Sequence, residues 1–293
     1  MYVERPPTAD LAGRLACVWH QVSEADATQL VVPDACVDLI WGPEGLFVAG
    51  PDTGPMPTPM ASGDTFVGIR FRPGAVGGFF GVPLHELRDQ RVRLSDLPSP
   101  RDPGIRESDL PPLRDPGIRE SGLLSLRDPG IRESGLPSLR DPGIRESDLP
   151  SLRDQPVRLA DLPFLRVADA PSPGRLDAML TAVRDRLARE VPADPAGAAI
   201  AGALRKGRTV GEVAWDLGFS ERQLHRRSLV TFGYAPKILQ RIVRFQRALT
   251  LARAGVPLAE VAVTAGYADQ AHLSHDVKRL SGVSMRHLVS PAG

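Results

Sequence analysis

Two short stretches hold side chains able to read a planar pattern of hydrogen-bond donors and acceptors. The first carries Arg222, His225 and Arg226; the second carries Gln270, Ala271, His272 and His275. Residues three and four apart share a helix face, so each set forms one exposed face if its stretch is helical. The arginine guanidinium is a rigid fork of paired donors, matched to two adjacent acceptors such as those on the edge of guanine. Histidine and glutamine add contacts of either polarity. Four more cations, Lys237, Arg241, Arg244 and Lys278, suit phosphate oxygens, which fix register without carrying sequence information.

The elements that must position these groups come from a pattern that occurs twice. Residues 209–236 read TVGEVAWDLGFSERQLHRRSLVTFGYAP, and residues 257–285 read PLAEVAVTAGYADQAHLSHDVKRLSGVSM. Val210, Val213, Ala214, Gly218 and Phe219 fall on Leu258, Val261, Ala262, Gly266 and Tyr267 at a constant offset of 48. Each copy predicts a short helix with one apolar stripe. Gly218 or Gly266 stops it where a left-handed residue is cheapest. Ser220 or Asp269 then caps a second helix running to about residue 232 or 280, with Leu224 or Leu273 turned inward. Helix, short glycine turn, helix is the helix-turn-helix unit.

The segment between the copies, PKILQRIVRFQRALTLARAG at 236–255, predicts a connecting helix. Pro236 suits its first turn and Gly255 its stop. Ile238, Ile242, Phe245, Leu249 and Ala252 recur at steps of three and four, and Lys237, Arg241, Arg244 and Arg247 occupy the other face. A basic stripe beside two polar-faced helices is what a nucleic-acid backbone selects.

Residues 194–290 resemble the AraC/XylS-type DNA-binding domain, most specifically in RIVRFQRAL from Arg241 and AGYADQAHLS from Ala265. The resemblance implies two helix-turn-helix units entering successive major-groove turns, about 34 Å apart on one DNA face. It also implies base reading by the two sets of residues named above. Four positions depart from the usual pattern: Ser228 and Val277 stand where an aromatic core residue is common, His275 where an arginine is common, and Met285 where a proline commonly follows the GVS turn. Ser228 predicts a small void or an underpaired hydroxyl.

The 293 residues carry 36 Lys and Arg against 35 Asp and Glu, a balance that hides an asymmetry. Residues 1–86 have 4 basic against 10 acidic side chains, and residues 194–293 have 14 against 7. A basic module following an acidic one places nucleic-acid binding at one end. Only Cys17 and Cys36 occur, too few for a disulfide framework. The opening MYVERPPTAD lacks the basic and apolar regions of a secretory signal. A cytoplasmic location is expected, with no membrane contact.

Residues 1–86 read as a small β-rich domain. LACVWHQ from Leu15, CVDLIWG from Cys36, LFVAG from Leu46 and TFVGIRF from Thr65 are short β-branched and aromatic runs bounded by turn formers. RPGAVGGFFGVPLHEL from Arg72 predicts a turn and a short helix. PDACVDLIW followed by GIRFRPGAVGGFFGVP resembles the N-terminal sensor-like domain of a subgroup of AraC-type regulators. Arg70 and Arg72, two apart on one predicted strand, are candidates for gripping an anionic effector; solvated or ion-paired strand arginines are the alternative. Cys17, His20, Cys36 and Asp38 do not converge as a metal site, because Cys17 and His20 alternate across a strand. No metal, cofactor or enzymatic constellation is expected.

Residues 87–164 are a tandem repeat of 13 residues, from LRDQRVRLSDLPS at Leu87 to LRDQPVRLADLPF at Leu152. The first and last units resemble each other more than the four between, consistent with in-frame expansion of one ancestral segment. Each unit has one or two prolines and about three apolar residues, thin for a solenoid core and unsuited to sheet pairing. A flexible, charge-balanced linker is predicted. Within 165–193, Leu176, Met179, Leu180, Val183 and Leu187 predict an amphipathic linker helix, either packed internally or used for self-association. Asp194 and Pro195 then open the DNA-binding domain, with Ala199, Ile200, Ala203 and Leu204 as the inner face of its first helix.

The expected fold is therefore α+β and multidomain: a small β-rich N-terminal domain, a proline-rich repeat linker and an all-α double helix-turn-helix domain. The expected function is sequence-specific regulation of transcription. Double-stranded DNA is the main partner, with RNA polymerase, a small-molecule effector and a second copy of the chain as candidate further partners. The alternative is a chromosomal interaction protein that binds DNA without sequence preference.

Overall fold

The computed structural model describes residues 1–97, 172–189 and 194–290. The expected linker behaviour of the repeat falls on residues outside that set from 98 onward. Eight strands form the N-terminal part: β1 (Tyr2–Arg5), β2 (Leu15–Val22), β3 (Ala27–Val31), β4 (Val37–Gly42), β5 (Gly45–Ala49), β6 (Met56–Met60), β7 (Thr65–Phe71) and β8 (Arg91–Arg93). Six of them make one antiparallel sheet in the order β1-β2-β7-β4-β5-β8, and β3 pairs with β6 separately.

The four strands expected from the apolar runs are β2, β4, β5 and β7. The other four have weaker signals for physical reasons. β6 reads MPTPM; it pairs only with β3, so Pro57 and Pro59 can turn their missing donors outward. β8 lies in the first 13-residue unit, where Val92 pairs with Val48. Leu87 and Leu94 on either side of β8 are buried. The sheet domain therefore runs past residue 86, and the first repeat unit is part of its edge.

Strand alternation sorts the sheet into two faces. Leu39, Val48, Val67, Ile69 and Phe71 point to one face, where Met179, Ala182 and Val183 of α1 (Ser172–Arg189) cover them. The stripe that could have served self-association is thus occupied by the sheet of its own chain. Trp19, Ile40, Phe47 and Phe66 point to the other face and form a separate, smaller apolar cluster.

The remaining helices are α2 (Pro195–Arg205), α3 (Val210–Asp216), α4 (Glu221–Phe232), α5 (Pro236–Arg253), α6 (Leu258–Ala265), α7 (Gln270–Ser281) and α8 (Met285–Val289). Their ends follow the sequence signals closely. Asp194 caps α2 by accepting from the Ala196 amide. Thr209 with Glu212, and Ser220 with Gln223, form reciprocal capping boxes on α3 and α4. Asp269 caps α7 by accepting from the His272 amide. Gly218 and Gly266 adopt φ of 67° and 86°, the left-handed turn each copy needs. The second turn is one residue longer, since α4 starts at Glu221 and α7 at Gln270. In α2 the inner face is Ile200, Ala201 and Leu204; Ala199, expected there, is exposed.

α5 forms the spine of this part. Leu239, Ile242, Phe245 and Leu249 are buried with Val213 and Leu224 of the first unit and Val261 and Leu273 of the second. Ala35, from the loop before β4, is buried in the same cluster, and Val32 packs against it. Gly233 ends α4 at φ 76°, and a Cβ there would meet Pro51 at 2.6 Å and the Leu84 carbonyl at 2.9 Å. Glycine is required at that point of contact by both the backbone angle and the space.

Candidate nucleic-acid interface

Helices α4 and α7 each turn one apolar side inward and leave a polar side to solvent. Leu224 of α4 is buried, Arg222 and Arg226 are exposed, and His225 is half-buried. Leu273 of α7 is buried, while Gln270, Ala271, His272 and His275 are all exposed. Both sets of candidate base-reading residues therefore share an accessible helix side, as their spacing predicts. The two sets differ chemically: α4 offers two guanidinium forks, whereas α7 offers imidazoles, one amide and a methyl group.

His272 is held from two sides. Its Nδ1 accepts a long hydrogen bond of 3.5 Å from the Ala268 amide, and its ring meets Tyr267 edge-on at 5.2 Å. With Nδ1 accepting, the neutral ring carries its proton on Nε2. Burial pushes the Tyr267 phenol up to about 12, so it stays neutral beneath the histidine.

Among the cations expected at phosphates, Lys237 and Lys278 are exposed. Arg241 and Arg244 are placed otherwise. Arg244 Nη2 lies 2.8 Å from Asp276 Oδ2, and Arg241 Nε lies 3.6 Å from Asp276 Oδ1. The Arg244 guanidinium also stacks over Tyr267 at 4.2 Å. Asp276 sits on α7 at 5% exposure, so the pair joins the connecting helix to α7. Arg244 thus ties α5 to α7 while a quarter of its side chain stays exposed. No spacing signal announces Asp276, because a lone carboxylate within a helix does not reveal its partner.

Ser228 has 0% exposure, and its Oγ has no hydrogen-bond partner. The underpaired hydroxyl predicted at this departure is present. Nearby, Arg227 pairs with Asp194 and stacks over Phe219 at 4.8 Å, tying α4 to the cap of α2. Sequence reasoning also missed Trp215 of α3, an aromatic 86% exposed, whose counterpart 48 residues on, Val263, is 72% exposed.

Residues 213–290 match the family described as a helix-turn-helix domain, and residues 3–93 match one described as a domain of unknown function, DUF6597. The matched C-terminal span holds the duplicated units from within α3 to the end of α8. No curated protein matches the chain. Among solved structures, the chain is similar to ToxT from Vibrio cholerae O395, with TM-score 0.39 and 9% identity over 92% of this chain and 95% of that one. It is also similar to the P21 form of ToxT from Vibrio cholerae, with TM-score 0.41 and 8% identity over 100% of this chain and 99% of the other. Among the described residues, no helix is long and apolar enough to cross a membrane.

The candidate effector residues have other partners. Arg70 faces the sheet side opposite α1 and binds Asp38 through Nε and Nη2, both at 3.0 Å. Burial alone would lower the Arg70 pKa; Asp38 and Asp34 outweigh it and hold the guanidinium charged. Arg72 lies beyond the end of β7, and its Nε donates to the Ala12 carbonyl at 2.8 Å. The two arginines do not form a joint anion grip.

Proposed function

We propose that the protein is a non-enzymatic, sequence-specific transcription regulator, with α4 and α7 as its two major-groove readers and the sheet domain as a sensor. The observation that carries this reading is the duplicated unit on one buried spine: two capped recognition helices with exposed polar sides, both anchored in α5. Arg222 and Arg226 supply the stronger base discrimination, with His225 at the edge of the same face. Gln270, Ala271, His272 and His275 read the second segment more weakly. Lys237 and Lys278 set affinity and its salt dependence.

Direct packing of the sheet domain on α4 and α5 supports an influence of that domain on DNA binding. Hydroxyl-radical footprinting on a selected DNA fragment tests the double reading. Two protected segments about one helical turn apart are expected. A single protected segment would remove α7 from the interface, and uniform protection would favour a chromosomal protein that binds without sequence preference.

A further inference from the structure

The sheet face opposite α1 encloses a cavity of about 500 Å³, within the range of small-molecule sites. Trp19, Ile40, Phe47 and Phe66 contribute to its floor, the β3–β6 pair to one wall, and Gln246, Leu249 and Arg253 of α5 to another. The indole of Trp19 lies across Gly68: a Cβ on Gly68 would come within 2.0 Å of it. The cavity thus has a flat aromatic floor and a wall that belongs to the spine of the DNA-binding domain.

Its charges select the ligand. Arg70 is shared by Asp38 at 3.0 Å, Glu4 at 3.4 Å and Asp34 at 3.6 Å. Arg91 holds both oxygens of Asp52, at 2.9 and 2.8 Å. The two guanidinium forks on the sheet are therefore filled, and an anion entering beside them would have to break an ion pair; the third arginine of the lining, Arg253, is exposed on α5 across the cavity. Around Arg70, three carboxylates face one cation. Asp38 is buried, but Glu4 is 47% and Asp34 is 34% exposed, so their outer oxygens remain accessible to a ligand. Aromatic faces favour the same sign of ligand charge.

We propose that this cavity binds an organic cation, an ammonium group carried on an apolar, flat body. The head group lies by Glu4 and Asp34, the body lies over Trp19 and Phe66, and occupancy acts on α5 through Gln246 and Leu249. This rests on the reading of the sheet domain as a sensor and names the chemistry sensed.

The test uses the full chain and three probes of matched shape: 2-phenylethylammonium, 2-phenylethanol and phenylacetate. At millimolar concentration the ammonium should raise Tm by a few degrees, the alcohol by less, and the carboxylate not at all. The double variant Glu4→Gln/Asp34→Asn should bind the ammonium about tenfold more weakly and begin to accept the carboxylate. Equal or better binding of phenylacetate by the native chain would overturn the proposal. So would a double variant with unchanged ammonium affinity, or the absence of binding by any probe.

A cavity-filling variant, Ile40→Trp, separates the ligand class from the sensor reading. Loss of ammonium binding in this variant, with DNA affinity in the native chain insensitive to the ammonium, would support the ligand class and end the sensor role. Altered DNA affinity in Ile40→Trp without ammonium binding in the native chain would keep the sensor role and discard the ligand class.

Discussion

Tyr234, the residue after the glycine that ends α4, donates its hydroxyl proton to the backbone carbonyl of Asp52 at 2.7 Å. The phenol is fully buried, and burial raises its pKa far above the usual tyrosine value, so it remains a donor at every working pH. Two further bonds between the sheet domain and the helices accompany it: Arg88 Nη1 donates to the Gly233 carbonyl at 3.4 Å, and Gln246 Nε2 to the Pro33 carbonyl at 2.6 Å. The sheet domain thus grips the turn between the first recognition helix and the spine.

Tyr234→Phe removes the donor and leaves the Asp52 carbonyl unpaired in a buried place, at a cost of about 1 to 3 kcal/mol. Chemical denaturation should show that loss, with earlier proteolysis of the sheet domain relative to the helices. A variant as stable as the native chain would mean the bond contributes nothing net.

Ser228→Ala should be neutral or stabilising by up to about 1 kcal/mol, because it deletes a buried hydroxyl without a partner. Thermal melting decides the matter. A clear drop in Tm would indicate that the hydroxyl is satisfied in solution.

Arg244→Met leaves Asp276 buried with only Arg241 nearby, 3.6 Å away. Full burial would make the loss several kcal/mol; the partial exposure of Arg244 reduces the expectation to about 1 to 3 kcal/mol. DNA affinity should fall with little change in its salt slope, since the side chain orients α7. Lys237→Ala should leave stability intact and reduce the salt slope by about one unit. The opposite pattern in these two variants would restore Arg244 to the phosphate contacts.

Glu212 titrates below its usual range because the Thr209 amide and hydroxyl bond its carboxylate. A folded-state pKa below the unfolded one gives stability that is present above the ordinary glutamate range and lost as pH falls through the folded value. Glu212→Gln keeps the capping geometry without the charge. The native chain should therefore be the more stable near neutrality and lose that margin in acid; a margin that does not change with pH would rule out the charge effect.

Much of the DNA-binding domain is legible in the sequence because its signals are local. Gly218, Gly266, Ser220 and Asp269 mark helix ends by backbone chemistry that does not depend on the rest of the fold. The alternation in β2, β4, β5 and β7 is equally local. What escapes is set by partners distant in sequence: Tyr234 on Asp52, Arg244 on Asp276, and Arg70 among three carboxylates. Strand β6 escapes because its prolines argue against pairing until its edge position is known. The repeat boundary misleads because β8 belongs to the sheet by its pairing with Val48, while its sequence belongs to the 13-residue period.

The most direct test of the central claim is a genome-fragment selection with the purified full chain, followed by binding to the best fragment at two salt concentrations. A bipartite motif is predicted, its halves about one helical turn apart. Arg226→Ala should relax one position of the half read by α4, at about 1 to 3 kcal/mol. Salt-sensitive binding with no enriched motif would contradict the regulator reading and leave a protein that holds DNA without reading it.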